Sequence, residues 1–229
     1  ATRFVLQATA DRREATDTEN PLPVPVRLED RWILSRAHKV ITSVQSLMEE
    51  FQIGEAERQI HDFIWSELCD WYIEMAKLRL RSIASAGGDS PADAPTPAPY
   101  LVAILDLSLR LLHPFMPFVT EELWQHLQPQ NAADKDTRSI IVAPIPVAPE
   151  SWLDADAERA IGAVQEIVRA LRNVRTERKM DATEWLEARL YTGTILSDLK
   201  EMLPSIEALS RTRIPVSYTH LTLPTKRIV

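Results

Sequence analysis

The chain has 229 residues, 45% of them apolar, a formal net charge of −7 and one cysteine. The single cysteine excludes an internal disulfide framework and a cysteine-cluster zinc site, and it fits a reducing cytoplasm. The sequence contains no run of ~18 apolar residues, so no membrane span is predicted. The acidic balance argues against bulk attraction to nucleic acid or to an anionic membrane, but it leaves room for a local basic site. The sequence begins without methionine in a helical pattern, so we expect a piece of a longer protein.

The first part of the sequence predicts long helices. Residues 1–8 have the pattern of a helix end, and the prolines of "NPLPVPV" (Asn20 to Val26) hold the next segment extended. Apolar residues then recur at intervals of three and four from about Leu28 to Phe51, which predicts an amphipathic helix. A short turn that contains Gly54 should return the chain in the antiparallel direction.

The second long helix, predicted from about Glu55 to Ser85, has apolar residues on two sides. Trp71 belongs to one apolar stripe and Cys69 to the other. A helix with two such stripes packs against neighbours on two sides, so we predict that Cys69 is a core residue. The Gly- and Pro-rich segment from Ala86 to Pro99 has little packing capacity and is predicted to be a flexible connector.

Two prolines interrupt the apolar stretch "LLHPFMPFVTEELWQHL" (Leu111 to Leu127), which overlaps the end of a third helix predicted from about Tyr100 to Leu112. Helical geometry is disfavoured before Pro114, whereas Pro117 fits the first turn of a new helix. The stretch therefore predicts a corner between two helices. We expect apolar side chains to fill this corner and then to return to the core: Phe115, Met116, Phe118, Leu123 and Trp124.

After this corner the character of the sequence changes. "SIIVAPIPV" (Ser139 to Val147) has a short strand pattern that prolines stop, Asp154 to Lys179 has a helical pattern, and "WLEARLYT" (Trp185 to Thr192) alternates like a strand. The predicted fold is therefore mainly α: an antiparallel helical bundle with a small mixed α/β appendage.

No catalytic constellation emerges from the residue pattern. The five histidines share no metal-ligand spacing, and the two adjacent glycines lie in a Pro-rich linker rather than in a phosphate-binding loop. We therefore expect the function to lie in binding, and two segments are candidates for contact with RNA.

The first candidate segment lies in the first long helix. At ~100° per residue, Trp32 falls well away from the centre of the apolar stripe, and Arg36, Lys39 and Ser43 follow it on the same line. An aromatic ring that stacks on a base, followed by cations that meet phosphates, suits single-stranded nucleic acid. The alternative is that Trp32 packs with Leu28 under the Pro-rich segment, as a staple at the start of the helix.

The second candidate segment is "VRALRNVRTERKM" (Val168 to Met180). It places five cations against the single carboxylate of Glu177, most of them three or four residues apart on a broad face: Arg169, Arg172, Arg175, Arg178 and Lys179. Such a face either contacts RNA phosphates or is a solvated helix surface.

Several of these segments resemble one family. "LLHPFMPFVTEELWQHL" resembles the end of the anticodon-binding helical bundle of class Ia aminoacyl-tRNA synthetases, and "DFIWSELCDWYIEMAKLRL" resembles the valyl-tRNA synthetase form of that bundle. "TRFVL", "LEDRWILSR", "SIIVAPIPV" and "IVRALRNVRTERKM" resemble the same enzymes in the same order, so the resemblance covers about residues 2–212. Leu78 stands where the family usually has proline, and "MDATE" stands where it has a Pro-rich turn.

The resemblance implies a division of the chain. Residues 1–20 would end the helix that joins the catalytic module to the bundle and add a linker, residues 21–138 would form the anticodon-binding bundle, and residues 139–214 the appendage. Residues 215–229 look like translated adapter DNA and are assigned no function. The family's His-Ile-Gly-His and Lys-Met-Ser-Lys-Ser motifs of the ATP site, its editing domain and its C-terminal coiled coil do not occur in this sequence.

The resemblance also implies a function. The full-length enzyme would be a monomeric, cytoplasmic valyl-tRNA synthetase that activates valine with ATP and Mg²⁺ and esterifies the matching tRNA in protein biosynthesis. This chain would bind the anticodon arm of valine tRNAs and would itself hold neither a cofactor nor a catalytic residue. The alternatives are the bundle of an isoleucyl- or leucyl-tRNA synthetase and a helical protein-interaction module that binds no RNA.

Finally, the resemblance implies which residues contact tRNA. Trp32 would stack on an anticodon base. The cations expected to meet phosphates or base edges are Arg3, Arg31, Arg36 and Lys39 in the bundle, together with Arg169, Arg172 and Arg175 in the second candidate segment.

Overall fold

A computed structural model describes residues 2–9, 22–85, 96–127, 139–181, 183–190 and 196–215. Helices dominate these residues, which also contain one two-stranded parallel sheet. The chain divides into two compact units, Ala1–Asp154 and Ala155–Val229. The predicted fold class, a mainly α bundle with a small mixed appendage, is confirmed. The predictions for the linker at 10–20, for the connector at 86–95 and for the tail from residue 216 onward fall outside the described residues.

The first unit is built from helices whose apolar faces meet in one core. Their bounds are α1 (Thr2–Thr9), α2 (Leu28–Glu49), α3 (Ile53–Asp62), α4 (Ile73–Ser85), α5 (Ala98–Leu112) and α6 (Pro117–Gln125). α2 packs against α3 and α5, and α1 packs against α5. Among the described residues, Ile33, Ile60 and Ile104 are fully buried where these faces meet.

A π-helical segment, Phe63–Tyr72, joins α3 and α4 into one continuous helix. The apolar pattern predicted this long helix but not its wider turns, which rotate side chains away from the usual spacing of ~100° per residue. As a result Tyr72 is fully buried, whereas Trp65 is 62% exposed. Cys69 is half-buried, so it lies at the edge of the core rather than inside it as predicted, and burial raises the pKa of its thiol.

The turn between α2 and α3 is closed by a residue in the left-handed region. Phe51 has a φ of 60° and an exposed side chain. The Gln52 N–H donates to the Leu47 carbonyl at 2.8 Å, which satisfies one of the last carbonyls of α2. The predicted turn is therefore present, but Phe51 makes it and Gly54 lies inside α3.

The predicted corner between α5 and α6 is confirmed for the backbone, because α5 ends at Leu112 and α6 begins at Pro117. The prediction that Phe118 fills the corner is wrong, since its side chain is 91% exposed. α6 buries Thr120 and Trp124, and Phe118 lies about 200° around the helix from Thr120. Met116 is likewise 50% exposed, whereas Trp124 returns to the core as predicted.

Residues 139–154 lie along the bundle rather than in the appendage. The side chains of Gln45 and Arg110 donate to the carbonyls of Pro146 at 3.1 Å and Pro144 at 3.2 Å. These bonds give a physical reason why the division between the units follows Asp154 instead of the predicted residue 138. The strand predicted within this segment is wrong: Ile140–Val142 is a 3₁₀ turn, and the prolines that follow have no N–H to donate to a sheet.

The second unit contains α7 (Ala155–Glu177), β1 (Leu186–Glu187), α8 (Leu196–Ser210) and β2 (Thr212–Arg213). α7 packs against α8, and β1 pairs in parallel with β2 so that Leu186 lies opposite Thr212. The helix predicted here is confirmed, whereas the strand predicted from Trp185 to Thr192 is present only at Leu186–Glu187 among its described residues, 185–190. The sequence pattern did not reveal α8, because Pro204 lies inside it. None of the helices in the described ranges is long and apolar enough to cross a membrane.

Candidate nucleic-acid interface

Trp32 lies inside the bundle, and its side chain is only 4% exposed. The prediction that it lies away from the core is wrong, because the N-terminal half of α2 is covered on more than one side. α5 packs against this helix, and so does the 3₁₀ turn Glu150–Trp152. The structure therefore agrees with the alternative interpretation, in which Trp32 is buried. A ring that is buried in this way is not exposed for stacking on a base.

Two of the predicted cations on α2 form ion pairs with carboxylates of other segments. Arg31 places Nε and Nη2 at 2.7 Å from Oδ2 of Asp154, at the end of the segment that lies along the bundle. Arg36 makes a two-pronged pair with Glu67 in the π-helical segment, with Nε–Oε2 at 2.7 Å and Nη2–Oε1 at 2.8 Å. These geometries fasten α2 to its neighbours, and each pair brings a positive and a negative charge together.

An open cleft of about 450 Å³ lies between α2 and the helix that runs antiparallel to it. Arg36, Lys39 and Ser43, which the sequence placed on one line, all face it, and α3 adds Arg58. Arg58 is itself bonded to Asp62 at 2.9 Å and to Glu55. Carboxylates that pair with Arg36 and Arg58 also line the cleft, and they weaken its positive field.

A buried ionic network fixes the start of α2 beside these arginines. Asp30 accepts hydrogen bonds from the Tyr72 hydroxyl at 2.8 Å and from Arg79 Nη1 at 2.8 and 2.9 Å, and Arg79 also lies 3.0 Å from Glu29. Burial raises the pKa of Asp30, although the bonds from Arg79 and Tyr72 act in the opposite direction. Burial, with the neighbouring Asp30 carboxylate, raises the pKa of Tyr72 well above its usual value. The network ties α2 to α4 and so sets the position of Arg31.

Arg3 lies on the exposed side of α1. Its neighbour Phe4 is half-buried, and the Lys77 ammonium of α4 lies 5.3 Å from the centre of the Phe4 ring. Val5 on the next position is fully buried. Arg3 therefore lies at the surface, on a helix that does not line the cleft.

The predicted cations of α7 bond to main-chain carbonyls of the second unit. Arg172 Nε donates to the Leu209 carbonyl at 3.1 Å. Arg175 donates from Nη1 to the Arg211 carbonyl at 3.3 Å and from Nη2 to the Asp181 carbonyl at 2.7 Å. Arg169 is exposed one turn earlier on α7. The basic face therefore also fastens the end of α8 and the turn that follows α7.

Two aromatic pairs at the surface were not predicted. The rings of His61 and Trp65 stack with centroids 5.9 Å apart and an angle of 7° between their planes. In the second unit the Arg213 guanidinium lies 5.8 Å from the centre of the Trp185 ring. The first pair has a sequence signal, since the two residues are four apart in a helix, but the second depends on the pairing of β1 with β2.

The described residues bring together no group of three or more His, Cys, Asp or Glu side chains that could hold a metal ion.

Comparison with known proteins finds tRNA ligases over most of the chain. Residues 30–190 match the family model of the anticodon-binding domain of tRNA ligase. A valine--tRNA ligase from Dehalococcoides mccartyi strain CBDB1 is 46% identical over 213 residues, which make up 93% of this chain and 23% of that protein. One from Chromobacterium violaceum is 36% identical over 211 residues, 92% of this chain and 21% of that protein. The chain thus spans less than a quarter of the length of the curated relatives it matches.

Proposed function

Because the chain belongs to the family of anticodon-binding domains of tRNA ligases, we propose that it is the anticodon-arm-binding part of a valine--tRNA ligase. The observation that carries the choice of valine is the 46% identity to a valine--tRNA ligase over 93% of the chain. The residues that match the family model, 30–190, extend from α2 to beyond β1 and so include parts of both units.

The complete ligase, in this proposal, activates valine with ATP and Mg²⁺ in a module other than this chain and transfers it to tRNA, as a monomer in the cytoplasm. The chain described here contributes binding energy far from the reacting atoms. That energy orients the acceptor end of the tRNA and discriminates between tRNAs.

Within the first unit we assign direct phosphate contact to Arg3 and Lys39, which lie at the surface of α1 and α2. Arg31 and Arg36 are assigned a positioning role instead of phosphate contact, since each holds a carboxylate of a neighbouring segment. Trp32 supports α2 from within the core and is not assigned to base stacking. Arg169, Arg172 and Arg175 remain assigned to tRNA, through the second unit.

Competition between purified tRNAs tests this function. The chain should bind valine tRNA more tightly than isoleucine or leucine tRNA, and its affinity should fall steeply as salt rises, by about 0.7–0.9 logarithmic units per tenfold change in salt for each phosphate contact. Equal affinity for the three tRNAs would contradict the choice of valine. Absence of salt-dependent tRNA binding would favour the alternative, a protein-interaction module.

A pair of variants links this binding to α2. Lys39→Gln should weaken tRNA binding a few-fold and reduce the salt dependence by about one phosphate contact. The matched control is Arg159→Gln, because Arg159 is an exposed cation on α7 that pairs with Asp156 and is expected to leave both quantities unchanged.

A further inference from the structure

The end of α7 and the small sheet bring cations from distant parts of the sequence together. Arg178 and Lys179 are exposed where α7 ends, and Lys179 closes the helix with a φ of 51°. The Leu186 N–H donates to the Arg211 carbonyl at 3.1 Å, and the Ala188 N–H donates to the Arg213 carbonyl at 3.0 Å. This pairing places β2 and its exposed Arg213 beside β1.

The hydrogen bonds of Arg175 at this end of the unit go to neutral groups. Arg175 donates to the carbonyls of Arg211 and Asp181, which carry no net charge, so the guanidinium remains a cation. The Asp181 carboxylate accepts the N–H and hydroxyl of Thr183 at 2.8 and 2.6 Å. Those two bonds lower the pKa of Asp181, with a smaller contribution from the charge of Arg175.

An aromatic ring lies beside one of these cations, Arg213. Trp185 directly precedes β1 and is 49% exposed, although the Arg213 guanidinium lies 5.8 Å from its ring centre. The arginine lies over part of the indole, and about half of the Trp185 side chain stays accessible to solvent. A flat ring backed by an arginine, in a unit that also exposes Arg178 and Lys179, suits an unpaired base together with its phosphates.

We propose that Trp185, Arg213, Arg178 and Lys179 form a second tRNA-binding surface, which we call the α7-end surface. Arg178, Lys179 and Arg213 meet phosphates, and the Trp185 indole stacks on an unpaired base of the same RNA. The proposal rests on the proposed function in that its ligand is tRNA, but it assigns contacts to the second unit that the anticodon-binding bundle does not supply. Because every base has a stacking face, the α7-end surface adds affinity without reading sequence.

The test uses the complete chain and four variants, with binding of valine tRNA measured by filter retention at several salt concentrations. Trp185→Ala should weaken binding roughly 5- to 100-fold, whereas Trp185→Phe keeps a stacking ring and should stay close to the parent chain. Arg213→Gln should weaken binding a few-fold and reduce the salt dependence by about one phosphate contact. The control Arg159→Gln removes an exposed cation of α7 that pairs with Asp156 and should change neither quantity.

The outcomes separate this inference from the proposed function. If the parent chain binds no tRNA, the proposed function fails. If the parent chain binds tRNA and the Trp185 and Arg213 variants bind it equally well, only the α7-end surface is overturned. Stacking is overturned if Trp185→Phe loses as much affinity as Trp185→Ala while its circular dichroism spectrum and melting temperature match those of the parent. An acidic protein would be the better partner if polyglutamate bound the parent as tightly as tRNA and lost the same affinity in the variants.

Discussion

α2 and α7 each carry several cations along one helix, but the groups that accept their hydrogen bonds differ. On α2, Arg36 forms a two-pronged ion pair with Glu67, so two opposite charges meet. On α7, Arg175 donates to two main-chain carbonyls, which carry no net charge. The spacing of the cations is therefore a weaker guide to the local electric field than the chemistry of the acceptors, which comes from other parts of the chain.

The tryptophans of the two units differ in the same way. Trp32 has a helix position that the sequence pattern assigned to the surface, and it is 4% exposed. Trp185 lies at the start of a two-residue strand and is 49% exposed with a guanidinium over its ring. A tryptophan that has cations near it in the sequence is thus part of the core in one unit and half-exposed at the surface in the other.

Replacement of Trp32 should lower the free energy of unfolding more than any other change. A small loss would contradict the contrast between the two tryptophans. Trp32→Ala removes a buried indole, and we expect the free energy of unfolding to fall by about 3–5 kcal/mol. The matched variant Trp185→Ala removes a half-exposed ring and should change it by less than about 1 kcal/mol. Urea denaturation followed by circular dichroism measures both. Equal stability losses in the two variants would mean that the two rings are equally buried.

The Arg36–Glu67 pair should show an intermediate effect. Both side chains are partly exposed, at 32% and 20%, so solvent screens the pair and we expect a coupling free energy of about 1 kcal/mol. A double-mutant cycle of Arg36→Ala and Glu67→Ala measures it from unfolding free energies. The salt dependence of tRNA binding should stay as in the parent chain for Arg36→Ala, because that charge is already paired. A reduced salt dependence together with zero coupling would place Arg36 on the RNA instead.

Local patterns predicted most of the helices, although not α8, and predicted poorly which side chains lie at their surfaces. The apolar spacing located α2 and α7, and the two prolines located the corner before α6, because these features depend on residues close in sequence. Trp32 is buried on a helix against which α5 and residues near 150 pack, and no window around α2 contains those segments. The pair of Trp185 and Arg213 likewise requires β1 to meet β2 across α8. The family resemblance predicted the function, but it did not predict which groups accept the hydrogen bonds of individual arginines.

Replacement of Arg175 should have the smallest effect on the free energy of unfolding. Unlike replacement of Arg36, it should reduce the salt dependence of tRNA binding. Arg175→Gln removes donors to two carbonyls that water can also satisfy at a partly exposed site, so the free energy of unfolding should fall by less than about 1 kcal/mol. The variant loses a charge that no carbonyl had cancelled, and the salt dependence of tRNA binding should decrease by about 0.7–0.9 logarithmic units per tenfold change in salt. Parallel unfolding and salt titrations of Arg175→Gln and Arg36→Gln check both quantities. The contrast between α7 and α2 is wrong if Arg36→Gln reduces the salt dependence more than Arg175→Gln does, because the ion pair would then leave more charge available to RNA than the carbonyl bonds.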